Sequence, residues 1–155
     1  MTEFVNPLVI GYDGSDHAKR AIVTAGELLA GRSVLVATVW TSFRPVGNMA
    51  TLGVPSGVTA AALEKLDEEA ITRAAETSAE GAEAARAAGL DATPMHLQAQ
   101  GNVWATLVQL TVDAVSAVVV GSHGRSGLGE ALLGSVTRGL VHHSEVPVLV
   151  VPPGR

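Results

Sequence analysis

The sequence predicts an α/β fold: a parallel sheet with helices on both faces. Three observations carry that expectation. Short apolar runs alternate with helical periodicities along the chain, the runs are apolar throughout rather than half polar, and a long glycine-rich stretch follows the fourth run. Alternation of this kind implies right-handed crossovers, which bury both faces of the sheet.

The elements follow in order. Leu8-Val9-Ile10, bounded by Pro7 and Gly11, reads as a buried strand. Gly14, Ser15 and Asp16 turn the chain and cap a helix of about 14 residues. Its apolar face is Ala18, Ala21, Ile22, Ala25, Leu28 and Leu29, and Gly31 ends it. Val34–Val39 is the second strand. Thr41–Val58, rich in Gly and Pro, is too irregular for an element and long for a loop. Thr59–Ala88 reads as one long amphipathic helix stopped by Gly89. Met95–Gln98 is a weaker third strand, Asn102–Val112 a helix, Ala117–Gly121 the fourth strand, Val136–His143 a short helix and Val146–Val151 the fifth strand. No repeat or linker divides the chain, so residues 1–155 are expected to form one domain.

Composition bounds the function. The 155 residues are 47% hydrophobic and 16% charged, which excludes a solvating, disordered chain. A formal net charge of -5 argues against nucleic acid or an anionic membrane as partner, both of which need a basic footprint. The absence of cysteine excludes a disulfide framework, a thiolate metal site and a redox dithiol, and suits the cytoplasm. Met1–Pro7 lacks the layout of a signal peptide. No apolar run reaches the roughly 20 residues needed to span a bilayer.

Ligands of parallel sheets sit beyond the carboxyl ends of the strands. The stretch after strand four, Gly121-Ser122-His123-Gly124-Arg125-Ser126-Gly127-Leu128-Gly129, runs on to Gly134-Ser135-Val136-Thr137, where a helix begins. Glycines let backbone amides approach an anion and allow positive φ. The helix start adds free N–H groups and the positive end of its dipole. Ser135 and Thr137 add hydroxyls, and Arg125 is the loop's cation. Together these make a phosphate cradle. The plainer alternative is a loop whose glycines only turn the chain and whose Ser135 only caps a helix.

Gly121-x2-Gly124-x9-Gly134-Ser135 resembles the ATP-binding signature of the universal stress protein family. Leu8–Ser15 is similar to that family's opening strand and turn, and Val146–Val151 to its closing strand. The resemblance implies a five-stranded sheet in order 3-2-1-4-5, a Rossmann-like, adenine nucleotide α-hydrolase-like fold, commonly a homodimer paired through the last strand. Carried over position by position, it implies that Asp13 meets the ribose or adenine end of ATP and the main chain at Val39 the adenine, with Gly11 among the residues that bind the nucleotide. Gly121, Ser122, His123, Gly124, Arg125, Ser126 and Gly127 would hold phosphates, with Gly134, Ser135, Val136 and Thr137 closing the other side; Mg²⁺ is a candidate companion of those phosphates, and the sequence leaves the metal open. Asp13 has a local alternative, bonding amides of its own turn. His123 bonds a phosphate or steadies its turn. Val115-Ser116 replaces an acidic pair often seen before strand four in the family and should not touch the pocket.

Rival nucleotide motifs fail. There is no G-x-G-x-x-G after strand one, and the only lysines, Lys19 and Lys65, lie outside any P-loop. Without that lysine, binding is better supported than turnover. The leading expectation is an ATP-binding regulatory or stress-response protein whose protein partner is unknown. A slow Mg²⁺-dependent ATPase and a nucleotide-free interaction module remain open beside it. Spacing places no metal site on the five histidines, and His142 and His143 suit a helix C-terminus. Trp40 and Trp104 read as core or interface, Trp40 also as a neighbour of the adenine contact. Residues 41–58 fold over the nucleotide, join a dimer contact or form a surface loop. Glu64, Asp67, Glu68 and Glu69 read as a solvated helix face. Val146–Val151 at the sheet edge should pair antiparallel with a second copy.

Overall fold

The computed structural model describes residues 6–44, 57–112, 115–124 and 133–154. The elements are β1 (Leu8–Gly11), α1 (Asp16–Leu29), β2 (Ser33–Trp40), α2 (Ala60–Ala87), β3 (Asp91–Gln98), α3 (Val103–Thr111), β4 (Ala117–Gly121), α4 (Ser135–His143) and β5 (Val148–Val151). They form a five-stranded sheet in order β3-β2-β1-β4-β5, with every pairing parallel. The strand order is the one the resemblance implied.

Because successive strand residues point to opposite faces, the sheet divides its side chains between two cores. Leu8, Ile10, Val34 and Val36 pack with Ile22 of α1 and Ala82 and Ala85 of α2. Val9, Ala37, Val118 and Val120 pack with Leu107 of α3 and Leu140 of α4. Complete burial of each large aliphatic side chain contributes about 1.5–3 kcal/mol. Gly81 sets how closely α2 lies on the sheet: a Cβ there would fall 2.7 Å from the Tyr12 ring and 2.8 Å from Val36.

Local chemistry accounts for the helix ends. Ser15 caps α1 by accepting from Ala18 N–H at 3.2 Å, and Thr59 caps α2 by accepting from Ala62 N–H at 3.2 Å. Leu28, expected on the buried face of α1, is instead 63% exposed, while Leu29 packs on the core. Strand β3 begins at Asp91, four residues before the expected Met95. Polar residues and Pro94 hid its start. They are tolerated because β3 is an edge strand, where a missing ladder N–H costs little. Strand β5 is shorter than expected and begins at Val148, after Pro147 has passed its carbonyl to Val118 N–H at 2.9 Å.

Candidate functional site

Strand β1 lies between β2 and β4, so the strand order reverses between β1 and β4. At the carboxyl ends of these strands opens a cavity of about 610 Å³, a size suited to a small-molecule ligand. Gly11, Tyr12 and Asp13 reach it from β1, Val39 to Phe43 (except Ser42) from β2 and beyond, and Ala70, Arg73 and Thr77 from α2. Val103 and Leu107 of α3 add apolar surface, and Gly121, His123, Gly124 and Gly134–Thr137 complete the lining. Of the residues expected at the site, Gly11, Asp13, Val39, Gly121, His123, Gly124, Gly134, Ser135, Val136 and Thr137 therefore line one cavity. Arg125, Ser126 and Gly127 lie outside the described residues. Val115 and Ser116 stay clear of it, as expected.

The start of α4 is built to leave donors available. Its N-cap is Gly134, with no side-chain cap among the described residues, and Ser135 is the first helical residue rather than the cap. The plainer reading of Ser135 as a helix cap therefore does not hold. Amides of an uncapped first turn need acceptors from elsewhere, and Gly134–Thr137 line the cavity. Gly134 N–H donates to the Ser122 carbonyl at 2.8 Å, which fastens the helix start to the end of β4.

Asp13 serves its own turn: Ser15 N–H donates to Oδ1 at 3.0 Å, across a turn in which Gly14 takes φ 79°. Its Oδ2 faces the other wall, 3.0 Å from where a Cβ on Gly124 would sit. The local role and a ligand role are thus compatible. Register with β1 ends at Ala37, whose carbonyl accepts from Tyr12 N–H at 2.9 Å. Strand β2 continues to Trp40, and backbone alternation turns Val39 toward the same side as Ala37, where β1 has left the sheet.

His123 is only 9% exposed. Its Nδ1 lies 3.0 Å from Ser122 Oγ, and Nε2 is buried without a hydrogen-bond partner among the described residues. When the Ser122 hydroxyl donates to Nδ1, Nε2 carries the proton and is left as a donor. The His17 ring lies beside it, with centroids 5.3 Å apart.

Three expectations need correction. Ser122 does not line the cavity; its N–H donates to Val151 and its hydroxyl is engaged with His123. The Thr137 hydroxyl donates to the Gly121 carbonyl at 2.8 Å, so that side chain binds the fold together. The described loop glycines, Gly121, Gly124 and Gly134, do not use positive φ, which among the described residues occurs at Gly14, Gly31, Gly57, Gly89 and Gly101. What they provide is close approach. A Cβ on Gly121 would meet the His17 carbonyl oxygen at 2.7 Å, whereas one on Gly124 would meet, among the described residues, only Asp13 Oδ2.

Tyr12 is buried against this site, and its hydroxyl donates to Glu80 Oε1 at 3.0 Å. Burial, then the bond to Glu80, then the charges of Glu80 and Asp13 push its pKa up to about 12. It stays a neutral donor throughout the physiological range.

Residues the sequence reading passed over also belong here. Arg73 of α2 is a cation on the lining, and Thr77 lies one turn further along the same helix. Asp67, expected on a solvated face, is 9% exposed and accepts from Ser42 Oγ at 2.6 Å and from Phe43 N–H at 2.7 Å. Those two bonds, the Ser42 one foremost, hold its carboxyl below the usual carboxylate range against the opposing effect of burial. Glu64 does face solvent and pairs with Arg44 at 3.8 Å. Trp40 lines the cavity. Trp104 instead packs on Gly139 of α4 and stacks on His143, with centroids 4.6 Å apart and planes 16° from parallel. Among the described residues no group of three His, Asp or Glu could hold a metal ion, and no helix is long and apolar enough to cross a membrane. Of the 41–58 segment, residues 45–56 lie outside the described residues.

Comparison with known proteins agrees with this architecture. The model of the universal stress protein family matches residues 5–152. A universal stress protein of Mycobacterium tuberculosis is 54% identical over 44 residues, 28% of this chain and 15% of that protein's length. The chain thus matches only a small part of that longer relative. A solved structure from Methanocaldococcus jannaschii superposes with a TM-score of 0.72 at 21% identity, covering 97% of both chains. A universal stress protein in complex with cAMP gives 0.57 at 27% identity, over 96% of this chain and 97% of that one. One from Archaeoglobus fulgidus in complex with dAMP gives 0.59 at 25% identity, over 94% and 96%. With a family match over nearly its whole length and the family's sheet order, this chain belongs to the universal stress protein family.

Proposed function

We propose that this chain is a single-domain cytoplasmic regulatory protein whose ligand is ATP, bound in the cavity at the ends of β1, β2 and β4. The observation that carries the reading is the facing pair of walls around Gly124: on one side the start of α4 and the buried His123 Nε2, neither with a side-chain cap or hydrogen-bond partner among the described residues, and Asp13 on the other. Open amides and an imidazole donor suit phosphate oxygens. A carboxylate suits ribose hydroxyls. The main chain of Val39, beside apolar Val103 and Leu107, suits an adenine. The cAMP and dAMP held by relatives share adenine and a phosphate with ATP.

Sensing fits this site better than turnover. Neither of the chain's two lysines lines the cavity, so no lysine is placed to steady a transferring phosphoryl group. Mg²⁺ would accompany the phosphates through their own oxygens. Specific binding must stabilise the native state in proportion to the logarithm of ligand concentration. ATP should therefore raise the melting temperature progressively. A melting curve indifferent to ATP would sink the proposal.

We also read β5 as a dimer edge. Its Val148–Val151 run pairs with β4 on one side, with no strand on the other among the described residues. The opposite edge, β3, is blunted by Pro94 and polar side chains, so the two edges differ in their readiness to pair. Light scattering at micromolar protein should report twice the 15.8 kDa chain mass; a monomer would remove this part of the reading.

A further inference from the structure

The Asp67 carboxylate joins two walls of the cavity. One wall is the chain leaving β2, of which Trp40, Thr41 and Phe43 line the cavity; the other is the α2 face carrying Ala70, Arg73 and Thr77. Asp67 stands one turn before Ala70 and uses both oxygens: Oδ2 accepts from Ser42 Oγ at 2.6 Å and Oδ1 from Phe43 N–H at 2.7 Å. Ser42 Oγ in turn accepts from Arg44 N–H at 3.1 Å, and Arg44 reaches back to Glu64, one turn earlier on α2. The 41–44 segment continues β2 beyond Val39 and α2 packs on β2 and β3, whereas Gly124 follows β4, on the other side of β1.

We propose that Asp67 is a positioning residue that sets the width of the base end of the nucleotide pocket by latching the 41–44 segment to α2. A surface carboxylate has no need of two short bonds to a segment 24 and 25 residues away; a buried one fixes the backbone that it binds. Losing the latch leaves the phosphate end untouched, because among the described residues the hydrogen bonds of Asp67 go to Ser42 and Phe43 and none to the cradle. The binding cost then arises from reordering the base-end wall whenever a base enters, a cost that preorganisation removes.

This inference rests on the nucleotide reading, and three probes separate the two. ATP, adenosine and inorganic tripolyphosphate are titrated onto the full chain, as wild type, Asp67→Ala, Asp67→Asn and Ser42→Ala. Asp67→Ala should weaken ATP and adenosine by a common factor of about ten while leaving tripolyphosphate unchanged. Asp67→Asn, which keeps one accepting oxygen, should recover part of the loss, and Ser42→Ala should show a smaller loss of the same pattern. Equal weakening of tripolyphosphate, or unchanged adenosine affinity in both Asp67→Asn and Ser42→Ala, overturns the inference and leaves nucleotide binding standing. A wild type that binds none of the three overturns the nucleotide reading itself.

Discussion

Replacing Gly121 by alanine is expected to destabilise the fold by about 1–3 kcal/mol, through overpacking rather than through loss of a ligand. The added Cβ would lie 2.7 Å from the His17 carbonyl oxygen, 2.8 Å from its carbonyl carbon and 2.9 Å from its Cβ. These are backbone and near-backbone atoms in the first turn of α1. They cannot rotate aside as the tip of a long side chain would. The helix must lift, and Ala18, Ala21 and Ile22 lift with it from the sheet. For a chain of this size the loss should lower the melting temperature by several degrees. An unchanged melting curve would show that α1 accommodates the methyl group and that the close approach has no energetic weight.

Gly124→Ala should do the opposite. Among the described residues its Cβ would have one neighbour, Asp13 Oδ2 at 3.0 Å, and no backbone within contact range. The residue needs no left-handed φ, so alanine fits the chain without strain. Stability should change by no more than about 0.5 kcal/mol. The methyl group, however, projects toward Asp13, into the space assigned to the nucleotide. Affinity for ATP should fall at least about tenfold, equivalent to about 1.4 kcal/mol. Calorimetric titration with a parallel thermal melt reads both quantities. Unaltered ATP affinity in a folded Gly124→Ala protein would mean that the ligand does not pass this point. Together the two variants assign different work to two glycines three residues apart: one admits a helix, the other a ligand.

The contrast shows what could be read from the residues. The sheet, its helices and the cradle's position were legible because they rest on local pattern: apolar runs, caps at Ser15 and Thr59, and a glycine stretch between a strand and a helix. Ten of the expected site residues meet in one cavity for the same reason, since strand ends in a parallel sheet converge. What escaped depends on partners distant in sequence. Asp67 stands among Glu64, Lys65, Glu68 and Glu69 and has the pattern of a solvated face, but Ser42 and Phe43 make it a buried acceptor. Arg73 reads as another surface charge because periodicity does not say which helix face overlooks a cavity. The Thr137 hydroxyl looked available to a ligand until the Gly121 carbonyl, 16 residues away, came within 2.8 Å. Leu28 had helical spacing but falls just outside the arc that α1 presents to the sheet.

The central claim is that the cavity at the ends of β1, β2 and β4 holds ATP. Calorimetric titration of ATP into wild-type protein, stripped of any nucleotide carried through purification, tests it most directly. The account predicts saturable binding with one ATP per chain. Absence of binding heat at millimolar ATP, across temperatures that would expose a compensated enthalpy, would contradict it.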